Sequence, residues 1–181
     1  MRCSVPPFGS HGRFVGTYTL SVLAPTHEVG AFVSGDDDID RYLHEQARNE
    51  QALGLCQVYV IADDAGRVSA YGTLSPLSIR IDDVVLETLA MTQAPYRSIG
   101  GYLLGRLGVQ QELQNQGLGR ALVARLATIA AAQRSSTGGA FLAVDAKTDR
   151  LVAWYEKLGC VRLDPGRRRL ILPLSSVLSG G

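Results

Sequence analysis

Leu107-Gly-Val-Gln-Gln-Glu-Leu-Gln114-Asn-Gln-Gly117-Leu-Gly119-Arg120 is the stretch on which the reading of this chain turns. Upstream, Tyr102 to Val109 is apolar and strand-like. Downstream the period changes: Leu118, Ala121, Leu122, Leu126 and Ile129 recur at the spacing of a helix with one strongly apolar face. Between them lies Gln114-x-x-Gly117-x-Gly119. Its glycines let the backbone approach an anion closely, and the N–H groups at the helix start converge there with the positive end of the dipole. A strand, a glycine loop and a helix in that order hold a pyrophosphate. No Lys-Ser/Thr follows Gly119, which disfavours an NTP-binding loop, and the dinucleotide fingerprint lacks its further Gly and its acid.

Working outward, Phe14 to Leu23 reads as a first strand after an irregular start. Ser34-Gly-Asp-Asp-Asp38 carries helix-start chemistry, and Ile39, Tyr42, Leu43 and Ala47 follow at helical spacing towards a stop at Gly54. Cys56 to Ala62 and Arg67 to Leu74 form a hairpin around a Gly-containing turn. Val84 to Met91 and Tyr102 to Val109 are the next strands, separated by a turn-rich stretch, Gln93 to Gly101. Phe141 to Val144 is a short buried strand. Thr148 caps a helix whose apolar stripe is Leu151, Trp154, Tyr155 and Leu158, closed by Gly159. Val161 to Leu163, an Asp164-Pro165-Gly166 turn and Arg168 to Leu174 make a last hairpin. The order predicts an α/β layered fold in a single domain over 1–181, with about 1–13 an irregular extension.

Composition narrows the function. The 181 residues are 46% hydrophobic and 19% charged, the balance of a chain that buries its own core. No apolar run approaches the ~18 residues of a membrane span, and Pro6, Pro7, Gly9, His11 and Arg13 break up any secretory leader. Cys3, Cys56 and Cys160 have no CxxC pairing, and His11, His27 and His44 have no metal-ligand spacing. The expectation is a cytoplasmic protein with reduced thiols and no metal. Cys56 sits in a strand pattern and reads as an apolar residue. Charge is segregated: residues 1–96 carry −6 and residues 97–181 carry +7, with sixteen Arg among the eighteen basic residues. A polyanion would bind the second half, through Arg97, Arg125, Arg134, Arg162, Arg167, Arg168 and Arg169.

The glycine loop resembles the [QR]-x-x-G-x-[GA] loop of the GNAT superfamily. After the next strand, Ala153-Trp-Tyr155-Glu-Lys-Leu-Gly159-Cys160 is similar to that family's FYEKLGF helix end. Thr148 stands where many members have Asn, and Cys160 where they have Phe. The resemblance implies an acetyltransferase with a mixed central β-sheet, splayed middle strands and flanking helices. It implies acetyl-CoA (coenzyme A) bound by Gln114, Asn115, Gln116, Gly117, Leu118, Gly119 and Arg120, with Leu107, Gly108 and Val109 along the pantetheine. It also makes Tyr155 the general acid. Spacing alone makes Tyr155 a packing residue, so both roles stand at this point.

A narrower resemblance covers roughly 17–175. Ile39-Asp-Arg-Tyr-Leu43, Val58-Tyr-Val-Ile-Ala62, Tyr71-Gly-Thr-Leu-Ser75, Leu104-Gly-Arg-Leu107 and Leu170-Ile-Leu-Pro-Leu174 are similar, in order, to GNAT toxins of bacterial toxin–antitoxin modules. That resemblance implies acetylation of the α-amine of aminoacyl-tRNA, which stops translation, and neutralisation by a ribbon-helix-helix antitoxin; it allows a homodimer. Glu87 and Glu112 are the acids available as bases, each also readable as a solvated surface residue. A small-molecule or protein amine is the alternative acceptor, and a non-catalytic acyl-CoA-binding module the alternative class.

Overall fold

The strand-rich and helix-rich stretches alternate along the chain in the computed structural model, which describes residues 3–4, 18–80, 82–91, 98–164 and 166–178. Among the described residues the strands are β1 Cys3–Ser4, β2 Thr19–Val22, β3 Gln57–Ala62, β4 Val68–Arg80, β5 Ser98–Val109, β6 Phe141–Asp145, β7 Val161–Arg162 and β8 Arg169–Pro173. They form one mixed sheet in the order β1-β2-β3-β4-β5-β6-β8-β7. The helices are α1 Asp37–Arg41, α2 Ala47–Ala52, α3 Asp83–Thr88, α4 Leu118–Thr137, α5 Asp149–Glu156 and α6 Leu174–Leu178. Two compact units share the chain: Met1–Thr73 with Arg106–Val123, and Leu74–Gly105 with Ala124–Gly181. β4, β5 and α4 contribute residues to both. None of the described helices is long and apolar enough to cross a membrane.

In the first unit β2 runs antiparallel to β3, from Thr19↔Ala62 to Val22↔Tyr59, and β1 adds Cys3↔Leu20 at the edge. The β3–β4 turn closes on Asp63, whose carboxylate accepts the N–H groups of Ala65 and Arg67, both at 3.0 Å. Asp36 starts α1 by accepting the N–H groups of Asp38 and Ile39, and Asp37 and Asp38 complement the dipole of that first turn. The predicted helix then departs from α geometry: Tyr42–Gln46 is a π turn between α1 and α2. Its cause lies in β4, where the buried Tyr71 hydroxyl donates to the Ile39 carbonyl at 2.7 Å. A side chain that enters a helix's hydrogen-bond ladder widens it there. Leu23, Phe32, Ile39, Leu43, Val58, Val60 and Tyr71 form this unit's core.

In the second unit β5 pairs in parallel with β6 over Tyr102↔Leu142 to Leu104↔Val144, and β5 continues to Val109. β6 and β8 are antiparallel, with Asp145 opposite Arg169, and β7 closes the hairpin through Val161↔Ile171. Ile79, Val85, Leu89, Ile99, Phe141, Ala143 and Ile171 pack together.

Several expectations need correction. The stretch Val84 to Met91 is helical, as α3, and not a strand. Asp82 caps it by accepting from the Val85 N–H at 3.0 Å, and Val85 and Leu89, one turn apart, supply its buried face. A β-branched pair therefore misled the period, because capping and packing outweigh propensity. The first strand starts at Thr19; Phe14 to Thr17 lie outside the described residues, as do Gln93 to Arg97 of the turn-rich stretch and Pro165. Ser98 to Gly101 belong to β5, and β4 runs on to Arg80. The short α6 had no counterpart in the periodicity. On α5 the buried face is Val152 and Tyr155, and Leu151 is 38% exposed, so the stripe is turned by one residue.

Candidate functional site

β5 delivers Leu107, Gly108 and Val109 to the start of the glycine loop. Gly108 is buried, and a Cβ there would lie 2.7 Å from both Ile39 Cγ2 and Tyr71 Cε1. Its missing side chain is what lets β5 lie against α1 and β4. The backbone turns through a short 3₁₀ segment, Gln111–Leu113, and then takes left-handed conformations at Asn115 (φ +59°) and Gly117 (φ +87°). A Cβ on Gly117 would meet nothing within 4 Å, so the space beside the helix start is open. α4 begins at Leu118, and its first bonded N–H is that of Ala121, which donates to the Gly117 carbonyl at 3.0 Å. The N–H groups of Leu118, Gly119 and Arg120 precede it and lack intrahelical acceptors. Three donors at the positive end of a 20-residue helix, with open space beside them, suit a pyrophosphate.

The side chains of the loop divide their work. Leu118 is buried, leaving its main chain at the site, and Arg120 is exposed. Gln116 donates its amide to the Glu112 carbonyl at 2.9 Å. Gln114 donates to the Ser34 carbonyl at 2.7 Å and to the Val109 carbonyl at 3.1 Å. The Val33 N–H donates to Gln110 Oε1 at 2.9 Å, and the Gln111 N–H to the Val33 carbonyl at 2.8 Å. Ser34 is itself held by Asp40, which accepts from its N–H at 2.8 Å and from its hydroxyl at 2.6 Å. Val33, Ser34 and Asp40 are absent from any sequence-level reading of the site. They act across 77 and 80 positions, a separation at which no local pattern speaks.

Tyr155 belongs to the second unit. Thr148 starts α5 by accepting from the Leu151 N–H, and Gly159, at φ +91°, ends it while the Cys160 N–H returns to the Tyr155 carbonyl at 3.1 Å. This places the Tyr155 ring inward, 6% exposed and edge-on to Trp154 at 4.8 Å. Burial, with the neighbouring Cys160, pushes its hydroxyl well above the usual tyrosine range. The same burial raises the Cys160 thiol to about 11. Among the described residues the Tyr155 hydroxyl makes no hydrogen bond. The hydroxyl thus keeps its proton and has its donor unspent among the described residues.

The arginines expected to grip a polyanion are mostly matched by acids. Arg169 pairs with Asp145 through two bonds of 2.7 and 2.6 Å, and Arg168 with Asp149 at 2.9 Å, which holds the Asp149 carboxyl below the usual range. Arg167 lies 3.6 Å from Asp164, and Arg162 3.8 Å from Glu156. Arg125 is half-buried and Arg134 exposed on α4; Arg97 lies outside the described residues. Glu87 on α3 and Glu112 in the loop are both exposed. Cys56 is half-buried, and its sulfur faces the Tyr42 hydroxyl at 3.3 Å.

A family model described as the Acetyltransferase (GNAT) family matches residues 20–160. The fold is similar to that of a tyrosine-to-phenylalanine mutant of KacT, with a TM-score of 0.81 and 22% identity over 90% of this chain and 98% of that one. AtaT complexed with acetyl-methionyl-tRNAfMet matches with a TM-score of 0.80 and 20% identity, covering 90% of this chain and 98% of that one. A tyrosine-to-phenylalanine mutant of the AtaT toxin, bound to the C-terminus of the antitoxin AtaR and acetyl-CoA, matches with a TM-score of 0.75 and 19% identity, covering 91% and 99%.

Proposed function

From the premise that this chain belongs to the acetyltransferase (GNAT) family, we propose that it is a toxin that acetylates the α-amine of aminoacyl-tRNA and so halts translation. The family makes the chain an acetyltransferase and acetyl-CoA its donor, which supplies the acetyl group as a thioester. The observation that carries the transfer chemistry is Tyr155, with its ring buried and its hydroxyl unbonded among the described residues. A tyrosine hydroxyl is protonated at neutral pH, and it delivers its proton to the sulfur as the thiolate departs.

The other residues hold and orient. Main-chain N–H groups from Asn115 to Arg120 bind the pyrophosphate, and the absence of a side chain at Gly117 lets it approach. Leu107 and Val109 present main-chain groups to the pantetheine and the thioester oxygen. No base is required, since the amine of an aminoacyl ester is less basic than an alkylamine and is partly neutral near pH 7. The exposed positions of Glu87 and Glu112 agree with that.

For the acceptor, the support is the +7 balance of residues 97–181 and the likeness to AtaT over most of the chain. The ion pairs of Arg167, Arg168 and Arg169 are exposed, worth about 0–1 kcal/mol each, so phosphates can exchange with the acids. A ribbon-helix-helix antitoxin, a homodimer and a cytoplasmic location complete the proposal. Binding of charged tRNA measured against salt tests the acceptor. Each phosphate neutralised adds about 0.9 to the slope of log affinity against log salt on duplex nucleic acid. A slope of several units is expected. A flat slope would move the acceptor to a small-molecule or protein amine.

A further inference from the structure

We propose that Gln114 is a positioning residue that braces the loop from α1, rather than a ligand of the pyrophosphate; this rests on the reading of the loop as the acetyl-CoA site. A glutamine amide nitrogen carries two protons. Both are spent inside the protein, on the Ser34 carbonyl at 2.7 Å and the Val109 carbonyl at 3.1 Å. Both partners are acceptors, so the orientation of the amide is set by chemistry: nitrogen faces the two carbonyls. What remains of the side chain is an acceptor oxygen, which repels an anion.

The brace continues behind Ser34. Asp40 takes both the N–H and the hydroxyl of Ser34 on one carboxylate oxygen, at 2.8 and 2.6 Å, and the Asp40 N–H is held in α1 by the Asp36 carbonyl at 3.0 Å. Beside it, Val33 exchanges two further bonds with Gln110 and Gln111. The relay Asp40–Ser34–Gln114–Val109 thus joins the start of α1 to the end of β5. Immediately beyond it stand Asn115 and Gly117, whose left-handed conformations aim the following N–H groups. Asparagine adopts the left-handed region more readily than other non-glycine residues, and contacts around it fix that conformation. Asn115 and its neighbours Gln114 and Gln116 are exposed, so the relay, and not packing of these side chains, supports the turn there.

Acetyl-CoA affinity by calorimetry and steady-state kinetics in Gln114→Met, Asp40→Ala, the double variant and Asp40→Asn test the relay. Losing one or two hydrogen bonds should weaken acetyl-CoA roughly 3- to 10-fold in each single variant, raising KM while kcat at saturation is kept. Asp40→Asn should restore affinity, because an amide oxygen accepts the same two bonds. The double variant should be no weaker than the worse single, as members of one relay do not add. Wild-type affinity in Asp40→Ala, or multiplying effects in the double variant, would overturn the proposal. Gly117→Asp is the control for the underlying reading: unchanged affinity there removes the loop as the cofactor site altogether. Amide exchange needs no variant. Acetyl-CoA should slow exchange at Gln111, whose N–H bonds to Val33, and at Ser34; protection confined to residues beyond Gln114 would overturn the relay.

Discussion

Tyr155 is a residue whose packing and whose proposed chemistry ask for different parts of the same side chain. The ring is buried with Val152 on the inner face of α5, while the hydroxyl is left without a partner among the described residues. Tyr155→Phe should therefore fold and bind acetyl-CoA as the wild type does. Its single-turnover acetylation rate should fall by roughly 100- to 10,000-fold, the usual worth of a general acid, and the loss should sit in turnover and not in cofactor affinity. A wild-type rate would make Tyr155 a packing residue. Spacing in the sequence placed this tyrosine on a stripe with Leu151 and Leu158, and only its motif pointed to chemistry. In the structure Leu151 is exposed, because a short helix capped at Thr148 has too few turns for its periodicity to fix the buried face within one residue.

Elements differ in how far their shape is written locally. The β5–loop–α4 unit was legible from Gln114 to Arg120 because each part has a local cause: glycines at the turn and an apolar period in the helix. The π turn at Tyr42–Gln46 was not, since its cause is the Tyr71 hydroxyl 32 positions away on another element. The same holds for the brace at Val33 and Ser34. Gly108 stands between these cases: a glycine in a strand suggests a close approach, but not by what. The approach is by Ile39 and Tyr71, at 2.7 Å from where a Cβ would stand. Gly108→Ala should accordingly destabilise the fold by about 1–3 kcal/mol, seen as a lowered thermal midpoint, because both neighbours are buried and have little room to yield. An unchanged midpoint would show that β5 can shift away from α1 at little cost.

At the scale of the whole molecule, charge rather than shape bears on the acceptor. The negative first part and the positive second part of the sequence survive as a net imbalance, but the structure matches Arg162, Arg167, Arg168 and Arg169 with Glu156, Asp164, Asp149 and Asp145. Counting arginines along the sequence overstates the free positive surface, since a cross-strand partner such as Asp145 is distant in sequence and opposite in register. Membership of the acetyltransferase (GNAT) family gives the reaction and its donor; the acceptor is what the proposed function adds. It is tested most directly by incubating the protein with acetyl-labelled acetyl-CoA and charged tRNA, digesting the RNA, and identifying the aminoacyl adenosine released. The account predicts label on the amino acid's α-nitrogen, lost when the tRNA is deacylated beforehand or when Tyr155 is replaced by Phe. Charged tRNA recovered without label, while a small amine or a protein lysine in the same mixture becomes acetylated, would contradict it.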